Sequence, residues 1–494
     1  MAKGPDKRRA SALPAMLLLL IYSPVSRAEI TLDGTLGPGG SVTGPDYLIP
    51  AEAGERVGGN LFHSFGVFDI NTNESATFTG PDPIQNVLGR VTGGSQSNID
   101  GTLRSTMSNA DVYLINPAGI VFGENAQLDV QGSFHASTTD YVRLGENGHF
   151  AASVQPDAST LTVAPPASFG FLDANLAPIT VLAGAVNQPL QVPAGETISL
   201  VGGDVVVRGS VLFAPSGRIN IASVASPGEV RTAGGGLAVD SFAELGDIRL
   251  SQGAIVSAND ADEGGGSIVI RGGQLVANNS FVFANTFGDL NGHGINIRLA
   301  GDLVLSNGGD IRATTSGAGN AGDIVIAADN LTLLAGAQID SSSGSAGQAG
   351  KLTVNAAGSI SISGLDRQRF SSGAFSNTFG DGDANDLSIS AGHLKMNDGH
   401  VTAGSLGSGS GGDVLIQAGQ VTLTNTAAVD STATSAGPGG DVKIVTSDGM
   451  RIVGGPLDAT DPTGVFNNAN STGAAGDLTI ITDGPLVMRG GRIL

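Results

Sequence analysis

The chain has 494 residues, a formal net charge of −21, no cysteine, and glycine at 76 positions. So acidic a protein is a poor partner for nucleic acid or anionic membrane surfaces, and without cysteine its stability rests on packing and hydrogen bonds rather than disulfides. Glycine stands at about twice its usual ~7% share without a collagen period, which points to many turns.

The first residues carry Lys3, Lys7, Arg8 and Arg9, then an apolar run from Leu13 to Tyr22 and the small-residue site Ser26-Arg27-Ala28. That order predicts a secretory signal peptide over 1–28 and a mature chain from Glu29. No later stretch approaches the ~20 apolar residues of a transmembrane helix. Next comes an aromatic-rich segment, Gly59-Asn60-Leu61-Phe62-His63-Ser64-Phe65.

Between Asn109 and Asp140, apolar residues alternate with small or polar ones at Val112/Leu114, Ile120/Phe122, Leu128/Val130 and Phe134/Ala136. Period two with one buried face predicts four short strands. The first two are joined by Asn116-Pro117-Ala118-Gly119, which suits a type I turn; Ala118 at its third place argues against type II.

This stretch resembles the amino-terminal secretion domain of the filamentous haemagglutinin family of two-partner-secreted exoproteins. The match comprises Asn116, Pro117, Gly119 and Ile120, then Phe122-Gly123, then Gly132-Ser133-Phe134 with Ala136-Ser137, while Ala118 departs from the family's second Asn. Upstream, Asn60 and Leu61 stand near the family's first Asn-rich motif. The resemblance covers roughly Ile30 to Val230 and implies an all-β, right-handed parallel β-helix, without substantial helix after the signal peptide. It further implies that Asn60, Leu61, Asn116, Pro117, Gly119 and Ile120 shape a region engaged by the periplasmic recognition domains of an outer-membrane transporter.

Between Ala151 and Val230 the chain reads as further short strands of one continuing coil. From Gly246 a Gly-Asp-strand unit recurs as GDIRL, GDIVI, GDVLI, GDVKI and GDLTI, with variants at Gly266, His293, Gly350 and Asn385. The nine second positions step by 20, 27, 29, 28, 35, 27, 28 and 36, a period near 28 with two longer insertions, which marks a solenoid. Three short strands per unit would form one rung. FANTFGD at Phe283 and FSNTFGD at Phe375 lie 92 residues apart, three units on. The expected division is therefore a secretion domain over 29–240 and β-helical repeats over 241–494, with the last repeat broken off at Leu494.

The repeated aspartates Asp247, Asp323, Asp386, Asp413, Asp441 and Asp477 invite a calcium ladder, but a carboxylate accepting a backbone N–H explains Gly-Asp more simply. The six histidines show no paired metal-ligand spacing. Asp366, Arg367 and Arg369 in one insertion, and Asp458 and Asp461 in the other, are read as solvated loops. No catalytic residue, metal or cofactor is therefore assigned. The expected protein is a secreted, monomeric, adhesin-like stalk that reaches the outer cell surface through the periplasm. A polysaccharide-active β-helix enzyme, or a stalk carrying a toxin domain, are the alternatives.

Overall fold

The computed structural model describes residues 29–154, 158–182, 188–233, 236–260, 263–454, 462–470 and 472–494. The expected signal peptide and the Asp458/Asp461 pair lie outside them. Among the described residues there is no α-helix, only one 3-10 turn at Ala51–Ala53, and no helix is long and apolar enough to cross a membrane. The chain is a parallel β-helix with three faces.

The four strands between Asn109 and Asp140 show how the coil is wound. Asp111–Ile115 lies on the first face, Ile120–Phe122 on the second and Gln127–Asp129 on the third; Phe134–Ser137 returns to the first, with Phe134 over Val112. Later coils stack in the same way, Ile268 under Ile295, Ile324 and Leu352 in strict register. Alternate residues point into the lumen, so each face contributes an aliphatic column: Ile270, Ile297 and Ile326 on the first, Leu275, Leu303 and Leu331 on the second, and Val282, Ile311 and Ile339 on the third. All of these are buried, each stabilising the coil by roughly 1.5–3 kcal/mol.

Loops returning from the third face to the first also stack closely. A Cβ on Gly347 would meet the Gly319 carbonyl oxygen at 2.0 Å, and one on Gly409 the Gly382 oxygen at 2.0 Å. Part of the glycine excess thus comes from backbone-to-backbone approach between coils rather than from turns alone.

Two expectations are corrected here. GDIRL and GSIVI are not equivalent units: Asp247–Ser251 is on the second face, between Val205–Arg208 and Gln274–Asn278, whereas Ser267–Gly272 is on the first, upon Arg218–Ser223. The step of 20 is passage between faces. Both strands place aliphatic residues at the same alternate positions, Ile248/Leu250 and Ile268/Ile270, so the lumen pattern does not distinguish the faces. Nor does the segment from 141 to 238 stay on one coil. Tyr141–Leu144, Gly148–Ala151, Pro166–Phe171, Gly228–Ala233 and Gly236–Ala238 leave it to form a five-stranded antiparallel sheet. That sheet covers the outer side of the first face, where Phe62, Leu88, Tyr113 and Ile115 join Val142, Phe150, Phe169 and Val230 in a second core. First-face strands here are apolar on both sides, unlike the half-buried strands assumed from alternation.

At the amino-terminal end, Ile30–Asp33 and Glu55–Val57 pair antiparallel with Asn60–Phe68 and cover the free edge of the first coil. Below that cap the lumen is aromatic, with Phe65, Phe68, Phe78, Phe122 and Phe134 buried. His63 is also buried there, its ring 6.1 Å from Phe65 and 5.4 Å from Phe78 between centroids. Burial lowers its pKa from 6.5 to about 4, the Ala53 backbone acting in the opposite sense. The unfolded chain therefore binds this proton more readily than the folded one, so the contribution to stability is full above about pH 6.5 and declines as the pH falls toward 4. The loss is on the order of 3 kcal/mol. Urea midpoints measured between pH 7 and 4 are expected to fall, and His63→Leu to remove part of that dependence; an unaltered pH slope in the variant would contradict the assignment.

Candidate functional site: a groove beside the Asn116 turn

Asn116 ends strand Asp111–Ile115, where the first face turns into the second. The Gly119 N–H donates to the Asn116 carbonyl at 3.0 Å, closing the four-residue turn. Gly119 has φ of 113° while Ala118 is not among the positive-φ residues, so type II is excluded, as Ala118 led us to expect. The Asn116 side chain is fully buried. Its Nδ2 donates to the Ser95 carbonyl and to Ser97 Oγ, both at 2.9 Å, and its Oδ1 accepts the Ala118 N–H at 2.9 Å. Its own N–H donates to the Ser137 carbonyl of the next coil at 2.9 Å. One asparagine thereby ties three coils at a corner.

Asn60 plays a comparable part elsewhere. Its Nδ2 donates to the carbonyls of Thr162 and Ala164 at 2.9 and 2.8 Å, and its Oδ1 accepts from Asn86 Nδ2 at 2.8 Å. It pins the segment leading into Pro166–Phe171 against the first face. Leu61 and Ile120 point into the lumen. Asn60, Asn86 and Asp111 share one register position, so Asn116, five residues along, is about 17 Å away by strand rise. The six expected residues are therefore not one cluster. Asn60, Leu61, Asn116, Gly119 and Ile120 are buried, and Pro117 alone reaches the surface in part.

Pro117 and Ala118 form part of the floor of a cavity of about 770 Å³ that crosses successive coils, with Val91 and Thr92 on one side and Asp140 on the other. The hairpin of Tyr141–Leu144 and Gly148–Ala151 walls it. Val154 and Leu172 stand at its rim, 52% and 65% exposed. The wall is held rigidly: Tyr141 donates to Glu229 at 2.7 Å and Arg143 forms an ion pair with the same carboxylate. Asp140 Oδ2 accepts the Leu172 N–H at 2.7 Å and fixes the rim.

Arg90 was not anticipated from sequence. It is only 4% exposed, with Nε donating to Ser64 Oγ at 2.7 Å, Nη1 to the Ala151 carbonyl at 2.5 Å and Nη2 to Thr35 Oγ1 at 3.0 Å. Its guanidinium lies 4.9 Å from the Phe150 ring centroid. Burial lowers its pKa and nearby Asp33 opposes that shift. Arg90 thus joins the amino-terminal cap, the first face and the groove wall. A lone charged residue in the strand Asn86–Val91, NVLGRV, was the available signal.

The other candidates have structural duties. Asp323, Asp413 and Asp441 accept the N–H of Lys351, Asp441 and Asp477 on the next coil at 2.8, 2.7 and 2.7 Å. The acceptor role expected for Gly-Asp is present, but it acts between coils. His135 stacks on Tyr113 at 4.3 Å and lies 2.9 Å from Ser199 Oγ. Among the described residues, no three His, Asp or Glu converge on a possible metal position.

Asn116→Asp is expected to destabilise the fold, since it removes both donors and sets a carboxylate against the Ser95 carbonyl. An unpaired buried charge costs about 3–5 kcal/mol. The urea midpoint of the purified variant should fall accordingly, whereas Pro117→Ala should fall much less; a wild-type midpoint for Asn116→Asp would contradict this reading.

Comparison with known proteins bears on the family of the chain. The family model described as the TPS secretion domain matches residues 28–276. Two Haemophilus influenzae proteins, each named heme/hemopexin-binding protein, are 42% and 35% identical to this chain over 82 residues, 17% of it in both cases. Those matches span 9% and 8% of the relatives' own lengths. A crystal structure of the HMW1 secretion domain from Haemophilus influenzae aligns with 92% of this chain and 98% of that one, at 18% identity and a TM-score of 0.46. With a secretion-domain match over half its length, the chain belongs to the two-partner-secretion exoproteins, which are exported through an outer-membrane transporter.

Proposed function

We propose that the groove beside the Asn116 turn is where the periplasmic domains of the partner transporter hold this exoprotein during export. The supporting observation is the position of Pro117 and Ala118 on the floor of a cavity whose rim carries exposed Val154 and Leu172. Exposed apolar side chains around a concave surface suit the desolvated centre of an interface. On this reading the buried motif residues Asn60, Leu61, Asn116, Gly119 and Ile120 act by shaping the groove, and only its floor and rim touch the partner. Residues 29–240 serve secretion and 241–494 form a stalk. The stalk crosses the outer membrane unfolded and stacks coil by coil outside, as nearest-neighbour stability allows. At the cell surface or in the medium it works as an adhesin-like interaction surface.

Val154→Asp and Leu172→Asp test this, because both side chains are exposed and the substitutions leave the coil intact. Binding of the purified protein to the transporter's periplasmic domains, followed by calorimetry, should weaken at least about tenfold in the double variant, or ~1.4 kcal/mol. Export should fall in parallel. If both variants bind and export like wild type while Asn116→Asp does not, the transporter reads something other than the folded groove.

A further inference from the structure

The coil that contains Ser359–Ser363 and Gly373–Phe375 carries an insertion between those strands. It is a built feature. Leu365 and Ser371 form an antiparallel bridge, the Asp366 N–H donates to the Phe370 carbonyl at 2.9 Å, and Asp366 Oδ1 accepts the N–H groups of Gln368 and Phe370 at 2.8 and 2.7 Å. Its base is locked to the rod: Ser372 Oγ donates to the Ser363 carbonyl at 2.8 Å and accepts the Gly336 N–H at 3.0 Å, and Gln338 Nε2 donates to the Ser371 carbonyl at 3.1 Å. A Cβ on Gly336 would lie 2.4 Å from Asp366 Cβ, so the corner beneath is glycine where the hairpin rests.

The hairpin lies along the corner between the second and third faces, over the three preceding coils at Ala335, at Asn307 and at Asn278 to Phe281. With that corner it encloses a cleft of about 670 Å³, lined chiefly by Asn278, Asn279, Phe281, Asn307, Asp366 and Arg367. This is within the ~300–1,000 Å³ of small-ligand sites. The asparagines are exposed and aligned along the rod, Asn307 Nδ2 donating to Asn278 Oδ1 at 2.8 Å. Phe281 stacks on Phe283 at 5.5 Å between centroids and forms the apolar side of the cleft.

We infer that this cleft binds a segment of a neutral oligosaccharide. Each side-chain amide offers both a donor and an acceptor, and so does each sugar hydroxyl; a row of amides therefore satisfies a row of hydroxyls without a charged partner. The Phe281 ring supplies an apolar wall for the C–H side of a pyranose, and Arg367 adds a planar fork of donors. The chain's net charge of −21 works against acidic glycans. Glycoside cleavage by the usual route requires two carboxyl groups flanking the bond. The cleft lining contains one, Asp366, and its Oδ1 already accepts two N–H groups, so the site binds and does not cleave. The inference gives chemistry to the surface-interaction reading above, and it is independent of how the chain is exported.

The test uses the purified full chain with cellohexaose, maltohexaose, laminarihexaose and hexa-N-acetylchitohexaose as probes, and hexagalacturonate as the acidic comparison, followed by saturation-transfer NMR and calorimetry. Binding of at least one neutral probe is expected, weakened at least about tenfold by Asn279→Gly with Arg367→Ala. Both side chains are exposed, and glycine suits the Asn279 φ of 47°, so the double variant keeps its fold, checked by circular dichroism. Phe379→Ala, an exposed aromatic outside the cleft, should bind like wild type. Binding of none of the neutral probes, binding of hexagalacturonate alone, or neutral binding untouched by the double variant would each overturn the inference.

Discussion

Everything in this molecule depends on the stacking of one coil upon the next in strict register. Parallel pairing places equivalent residues above one another, so a side chain entering the lumen meets its own counterpart from the neighbouring coil. No single coil encloses enough apolar surface to offset the conformational entropy of ordering it, roughly 1–2 kcal/mol per residue for the backbone alone. Stability is therefore a sum over neighbours. The same geometry explains the polar corners: Asp323, Asp413 and Asp441 each accept an N–H from the coil that follows, and glycines such as Gly347 and Gly409 stand where backbone meets backbone.

Stacking also creates a problem at its start, where the first coil would present an open edge. The chain meets it by turning Ile30–Asp33 and Glu55–Val57 back onto Asn60–Phe68. Arg90 extends that closure outward, linking Thr35 in the cap to Ala151 in the hairpin wall through one buried guanidinium. The antiparallel sheet then covers the first face and leaves a concave surface beside the Asn116 turn. The groove is thus a by-product of closing the coil and clothing its first face, and residues far from it, Asn60 among them, govern its shape through folding.

The coil and its three faces were legible because period-two alternation, glycine-rich corners and a repeat near 28 residues all report the same architecture. The type I turn at Asn116 was legible from Ala118 and Gly119. Alternation fell short in two respects. It cannot say which face a strand occupies, which is why Asp247–Ser251 looked equivalent to Ser267–Gly272. It also assumes one buried side, and so it missed that Phe62, Leu88 and Tyr113 have a sheet to pack against. The groove was invisible for a related reason: Pro117, Val154 and Leu172 are brought together only when that sheet folds back. Likewise Asp366 and Arg367 read as a solvated loop until their hairpin was seen lying over Asn278, Asn279 and Asn307.

The central claim is that this coil leaves the cell by two-partner secretion, with its amino-terminal part as the address. The most direct measurement is the amount of full-length chain in the medium of cells with and without the cognate outer-membrane transporter, with periplasmic chain measured alongside. The account predicts release only when the transporter is present and retention in the periplasm when it is absent. Equal release from both would contradict it.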